Sequence, residues 1–119
     1  MTSIIVRSPG DVPVEEVTAY GSTKTTIEWL ITKKDEGASC ASMRRFVIQP
    51  GGQIGVHHHP YEHEIYIISG RGELIDENGV VATVKAEDVV LIPPDVHHGY
   101  RVVGDEPLKF ICVIPHPKD

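Results

Sequence analysis

Six of the chain's seven histidines fall in two short clusters: His57, His58, His59 and His63, then His97 and His98. In a strand-like stretch His57 and His59, two apart, leave the same face, and His58 points the other way. His63 follows Pro60 and opens the next apolar run, and His98 lies just past the turn Pro93-Pro94-Asp95. Neutral imidazoles brought together from two neighbouring segments are what a divalent transition metal needs. Singly, each histidine is more often a surface or hydrogen-bonded residue, and three in a row can be a solvated loop tip. The spacing His-x-His-x-x-x-His, followed by a second cluster beyond a proline-rich turn, favours the metal reading. The run is internal and flanked by strand pattern, so it is not an expression tag. Cys40 and Cys112 lie outside this spacing, which disfavours thiolate ligation.

No nucleophilic triad, phosphate-cradling glycine loop or CxxC pair competes with this reading. Gly70-Arg71-Gly72 is a turn, because no βαβ unit surrounds it. The balance of 11 basic against 17 acidic residues, a net charge of -6, argues against a nucleic-acid partner. No apolar run approaches the ~20 residues of a membrane span, and the N-terminus lacks a signal peptide's layout. Two cysteines are too few for a disulfide framework and fit a reducing, cytoplasmic setting.

The elements that must hold the histidines follow period two. Thr26–Ile31, Arg44–Ile48, Glu64–Ile68, Glu73–Ile75, Val80–Val84, Val89–Ile92 and Leu108–Ile114 are short runs rich in β-branched and aromatic residues. Pro50-Gly51-Gly52, Ser69-Gly70-Arg71-Gly72, Asp76-Glu77-Asn78-Gly79 and Pro93-Pro94-Asp95 punctuate them. Asn78-Gly79 predicts a hairpin of type I′. Many short strands separated by turns imply an all-β sandwich or barrel. The 119 residues suit one domain, 1–119, with an N-terminal arm over 1–20 and a barrel core over about 25–115. Glu15-Glu16-Val17 is compatible with a short helical turn, and Ile4-Ile5-Val6 with a strand laid on an edge. An apolar arm of this kind points to a partner subunit.

Gly51-Gly52-Gln53-Ile54-Gly55-Val56-His57-His58-His59 through Gly70 resembles the first cupin motif, G-x5-H-x-H-x3,4-E-x6-G. Pro93-Pro94-Asp95-Val96-His97-His98 resembles the second, G-x5-P-x-G-x2-H-x3-N, with Glu87, Asp95 and Val102 at its two glycines and its asparagine. The resemblance covers about residues 40 to 115 and implies a small antiparallel jelly-roll barrel with a metal inside its mouth. Carried over residue by residue, the metal histidines are His57, His59 and His98. At the first motif's glutamate, counting from His59 and back from Gly70 gives His63; Glu64 fits only the first count. Adjacent strand residues point oppositely, so only one of the two can face the metal. His63 satisfies both counts, and the expected ligand set is His57, His59, His63 and His98. The chain is similar to small single-domain cupins that bind manganese through four histidines. That likeness implies one divalent ion per subunit, manganese first, with iron, nickel, copper or zinc as alternatives. It further implies a homodimer with exchanged N-terminal strands and oxygen-dependent cleavage of alkenes conjugated to an aromatic ring.

Four neutral ligands leave the ion its full +2 charge and two open positions, which favours an anionic bidentate partner such as an enolate or α-keto acid. Parity alone does not choose between the two faces of Met43–Gln49; the resemblance turns Arg44, Phe46 and Ile48 inward. An inward Arg44 is a ready clamp for a carboxylate, and its alternative is a rim arginine paired with a surface acid. Phe110, Cys112 and Ile114 share one face of the last strand, and Tyr100 shares the parity of His98. These residues are the expected lining, with Arg44 and Tyr100 as catalytic candidates; Trp29 reads as core or interface. The expected activity is that of a metal-dependent, dioxygenase-like enzyme acting on a small unsaturated or enolisable compound. A non-oxidative isomerase, lyase or decarboxylase and a non-catalytic metabolite- or metal-binding module are the alternatives.

Overall fold

The computed structural model describes residues 3–116. Nine strands follow in chain order: β1 Glu15–Glu16, β2 Thr23–Ile31, β3 Ala41–His57, β4 His63–Ser69, β5 Arg71–Asp76, β6 Gly79–Lys85, β7 Val89–Ile92, β8 His98–Val102 and β9 Leu108–Pro115. One short helix, α1 (Lys33–Glu36), joins β2 to β3; Thr32 Oγ1 accepts from the Asp35 amide at its start, and Gly37 ends it in the left-handed region. All strand pairs are antiparallel, in the order β6-β5-β8-β3-β9-β4-β7, with β2 on β3 and β1 on β2. This curled sheet is the antiparallel jelly roll that the alternating runs and the resemblance imply. Among the described residues no helix is long and apolar enough to cross a membrane.

The long strand β3 organises the molecule. Its first half pairs with β2 and β9, and its second half reaches β8, where His57 stands opposite His98. Pro50-Gly51-Gly52 is therefore a corner within a strand rather than a chain reversal. The other departures are local. Glu15–Glu16 pairs with Ile27 and Thr26 as a strand, not a helical turn. Ile4–Val6, expected as an edge strand, forms no strand and is exposed among the described residues. In the β5–β6 hairpin only Gly79 takes a positive φ (122°), and the Asp76 carboxylate accepts from the Asn78 amide at 2.8 Å. An Asp-based turn at Glu77-Asn78 thus replaces the type I′ turn.

Alternation on β3 buries Ser42, Arg44, Phe46 and Ile48, the parity that the resemblance favours, and on β9 it buries Leu108, Phe110, Cys112 and Ile114. The two rows meet in register, Arg44 against Cys112, Phe46 against Phe110 and Ile48 against Leu108. With Ile65 and Ile67 of β4 and Tyr100 of β8 they form one apolar core. Outside the barrel, Tyr66 and Ile68 of β4 and Val89 and Leu91 of β7 leave apolar side chains exposed. Phe110 is 1% exposed, stacked on Phe46 at 5.1 Å and on Tyr100 at 5.0 Å. Phe110→Ala should cost about 3–5 kcal/mol in urea unfolding through the cavity it leaves. A loss under about 1 kcal/mol would place that ring outside the core.

Candidate metal centre and its cavity

Four of the six cluster histidines, His57, His59, His63 and His98, come together in the structure. His57 ends β3, His59 lies two residues on and His63 opens β4, while His98 opens β8. His58 and His97 are exposed and stack on each other at 4.6 Å, outside the site. Ring centroids are 4.9 Å apart for His57 and His59, 5.1 Å for His59 and His63, 5.0 Å for His63 and His98, and 4.4 Å for His98 and His57. The four rings thus close a quadrilateral, and three of them line a cavity. His63 is 3% exposed, whereas Glu64 beside it points to solvent, as strand alternation requires.

The donor atoms can be followed one by one. His57 Nδ1 donates to the Gly55 carbonyl at 2.8 Å and His98 Nδ1 to the Val96 carbonyl at 2.9 Å. Both bonds leave Nε2 as the lone-pair atom, the tautomer a metal ligand requires. His98 Nε2 and both ring nitrogens of His63 are buried without a hydrogen-bond partner. Burial holds all four rings neutral: His63 falls to about 3, with the Arg44 guanidinium as the next cause, and His98 falls to about 4. His57 and His59 shift down for the same first reason. An all-imidazole set is a common donor set for divalent transition ions. Among the described residues, no three or more His, Cys, Asp or Glu side chains stand as a group that could already hold an ion.

A cavity of about 280 Å³ opens beside the rings. Its walls include His57, His59, His63, Arg44, Phe46, Tyr100 and Cys112. Ile48, Phe110 and Ile114 face inward but do not line it: they lie in the core, at 0%, 1% and 8% exposure. Parity gives the face of a strand but not the depth, and of the two facing rows Arg44, Phe46 and Cys112 line the cavity. Arg44 is not a rim residue paired with a surface acid. Its Nη2 donates to Cys112 Sγ at 3.0 Å, and its guanidinium lies over the Trp29 and Phe46 rings. Tyr100 packs edge-on to His98, and burial drives its phenol well above the ordinary tyrosine range.

Three lining aromatics were not among the expected site residues. Trp29 enters because β2 and β3 pair it directly with Arg44. Tyr61 stacks on His59 at 5.0 Å and Tyr20 on His57 at 4.2 Å, with ring planes within 6° for the latter. Tyr20 takes φ 59°, a left-handed conformation uncommon outside glycine. Its carbonyl sits where a Cβ on Gly55 would stand, 1.7 Å away, so only glycine fits at 55. No composition or period flags such a contact.

The sequence profile described as the cupin domain matches residues 44–114, more than half of the chain. The chain belongs to the cupin family. This cupin is 32% identical over 104 residues to a protein named polyketide synthase CurC from Streptomyces cyaneus; the match covers 87% of this chain and 67% of the relative. It is 29% identical over 116 residues to the oxalate-binding protein of Thermotoga maritima, covering 95% of this chain and 94% of the relative. Among solved structures, the polyketide cyclase RemF from Streptomyces resistomycificus superposes with a TM-score of 0.86 at 28% identity, over 95% of this chain and 80% of that one.

Buried neutral histidines make this cupin acid-sensitive. The unfolded chain takes up protons near the ordinary value of 6.5, whereas folded His63 and His98 do so near 3 and 4. Stability of the metal-free protein is therefore full above pH 6.5 and falls as the pH drops from there towards the folded values. Each of the two withdraws about 1.4 kcal/mol per pH unit over that window. Urea midpoints measured between about pH 7.5 and about pH 5 should fall accordingly; a flat profile would place these rings in water.

Proposed function

We propose that this cupin is a metal-dependent enzyme whose ion, manganese first and iron, nickel, copper or zinc otherwise, is held by His57, His59, His63 and His98. The observation that carries the reading is the ring of four imidazoles, His63 and His98 with unpartnered buried nitrogens, beside a small cavity that three of the rings line. A bound divalent ion would supply Lewis acidity and open coordination positions there. The chain's own residues do the rest. Gly55 and Val96 carbonyls fix the ring planes of His57 and His98, while Ile27, Phe46 and Ile54 keep the cavity apolar. Tyr100, neutral at any working pH, offers a hydroxyl but no base.

The favoured reaction is dioxygenase-like. One O2 adds across the double bond of a small unsaturated or enolisable compound, and each oxygen atom ends in one of two carbonyl products. No outside reductant is then required. A second reading, non-oxidative ring closure or decarboxylation, is favoured by the relative named a polyketide cyclase, and simple binding by the one named for oxalate. Turnover under air that consumes O2 in step with substrate supports the oxygenase. Equal turnover without O2 supports the second reading, and tight binding without turnover the third.

The ligand set has its own test. Elemental analysis of untagged protein should find metal in the wild type and in Glu64→Ala. His63→Ala should lower affinity by more than the ~10–100-fold that an outer-shell change costs. Equal occupancy in both variants would remove His63 from the site.

A further inference from the structure

We propose that the buried guanidinium of Arg44 is the anion subsite of the cavity, and that it receives a small conjugated carboxylate: a flat apolar body carrying one negative charge. The inference rests on the cavity being the substrate site, but not on an ion being bound in it.

The first observation is a missing counter-charge. Arg7, Arg45 and Arg101 face Glu36, Glu28 and Glu73 at 2.7, 3.5 and 3.2 Å. Arg44, only 9% exposed, faces no carboxylate, and its Nε is buried without a partner. None of the residues lining the cavity is an aspartate or glutamate. Two aromatic faces at 5.5 and 5.0 Å and one thiol at 3.0 Å do not replace the water that a guanidinium gives up. A charge this deep is uncompensated until an anion arrives from outside the chain.

The shape of the site narrows the anion. A guanidinium presents a planar fork that matches a carboxylate. Beyond Arg44 the lining holds no second cation and only neutral hydroxyl, indole, thiol and imidazole groups, which suits a single negative charge better than a phosphate. The remaining walls are aromatic or branched aliphatic: Tyr20, Trp29, Phe46, Ile27 and Ile54. Such walls favour a π-rich, flat body. The volume, about 280 Å³, is at the low end for ligand pockets and suits a small molecule.

Calorimetry with trans-cinnamate and its neutral isostere cinnamamide tests the subsite on the full chain. The emission of Trp29, the single tryptophan, serves as a second readout of the same pocket. Wild-type protein should bind the carboxylate about tenfold or more tighter than the amide. Arg44→Gln should erase that preference, and His63→Ala, which removes a proposed metal ligand, should keep it. Should the glutamine variant fail to fold, Arg44→Lys carries the test: it keeps the charge, loses the fork and should weaken cinnamate several-fold while leaving cinnamamide unchanged. No preference in the wild type, or one that survives Arg44→Gln or stands undiminished in Arg44→Lys, overturns the proposal. So does a preference lost in His63→Ala, which would assign the anion to the metal. Protein that binds no metal yet shows the Arg44-dependent preference would sink the proposed function and leave the subsite standing.

Discussion

Basic nitrogen buried without a carboxylate is the constraint to which the rest of this structure answers. Three of the four imidazoles and one guanidinium border a single cavity with no acidic residue in its walls, and His98 packs against them. The imidazoles meet the constraint by staying neutral, and two of them do so with purely local bonds, each ring donating to the carbonyl two residues before it. Arg44 cannot give up its proton and meets it only in part, through aromatic faces and a thiol. The register of β3 on β9, which sets Arg44 against Cys112, holds the guanidinium against that thiol inside the curled sheet.

Much of this was legible in the residues. Period two and the turn clusters gave the strands, since alternation along an antiparallel sheet is set by which side chains must leave water. The same rule separated His63 from Glu64, and the structure buries one and exposes the other. What parity could not give was depth. Phe46 and Ile48 share a face, yet only Phe46 reaches the cavity. Depth is fixed by how the barrel closes, a property of all strands together. The strand that continues through Pro50-Gly51-Gly52 was hidden for a related reason: proline and glycine mark a bend, and local sequence does not say whether the chain reverses or turns a corner. Trp29 and Tyr20 join the site through pairings 15 and 35 residues distant in the chain, and nothing near them announces it.

Strand β4 shows how tightly the two faces are divided. Its inward residues, His63, Ile65 and Ile67, serve the cavity and the core, while Glu64, Tyr66 and Ile68 lie outside. A one-residue slip would exchange the two sets entirely. The pairing of β4 with both β7 and β9 therefore protects the chemistry of the site as much as its stability.

The contact between Tyr20 and Gly55 bears on how portable this site is. The histidine-bearing segment looks self-sufficient, with its glycines, three of the site's four imidazoles and their spacing all contained between residues 51 and 70. Yet the face of His57 is covered by a ring from the far end of the chain, seated on a glycine that tolerates nothing larger. A designer who transplanted the strand into another barrel would carry the letters of the motif and leave behind the surface that holds its first histidine flat. The smallest unit that can be moved intact is the strand together with the loop that leans on it.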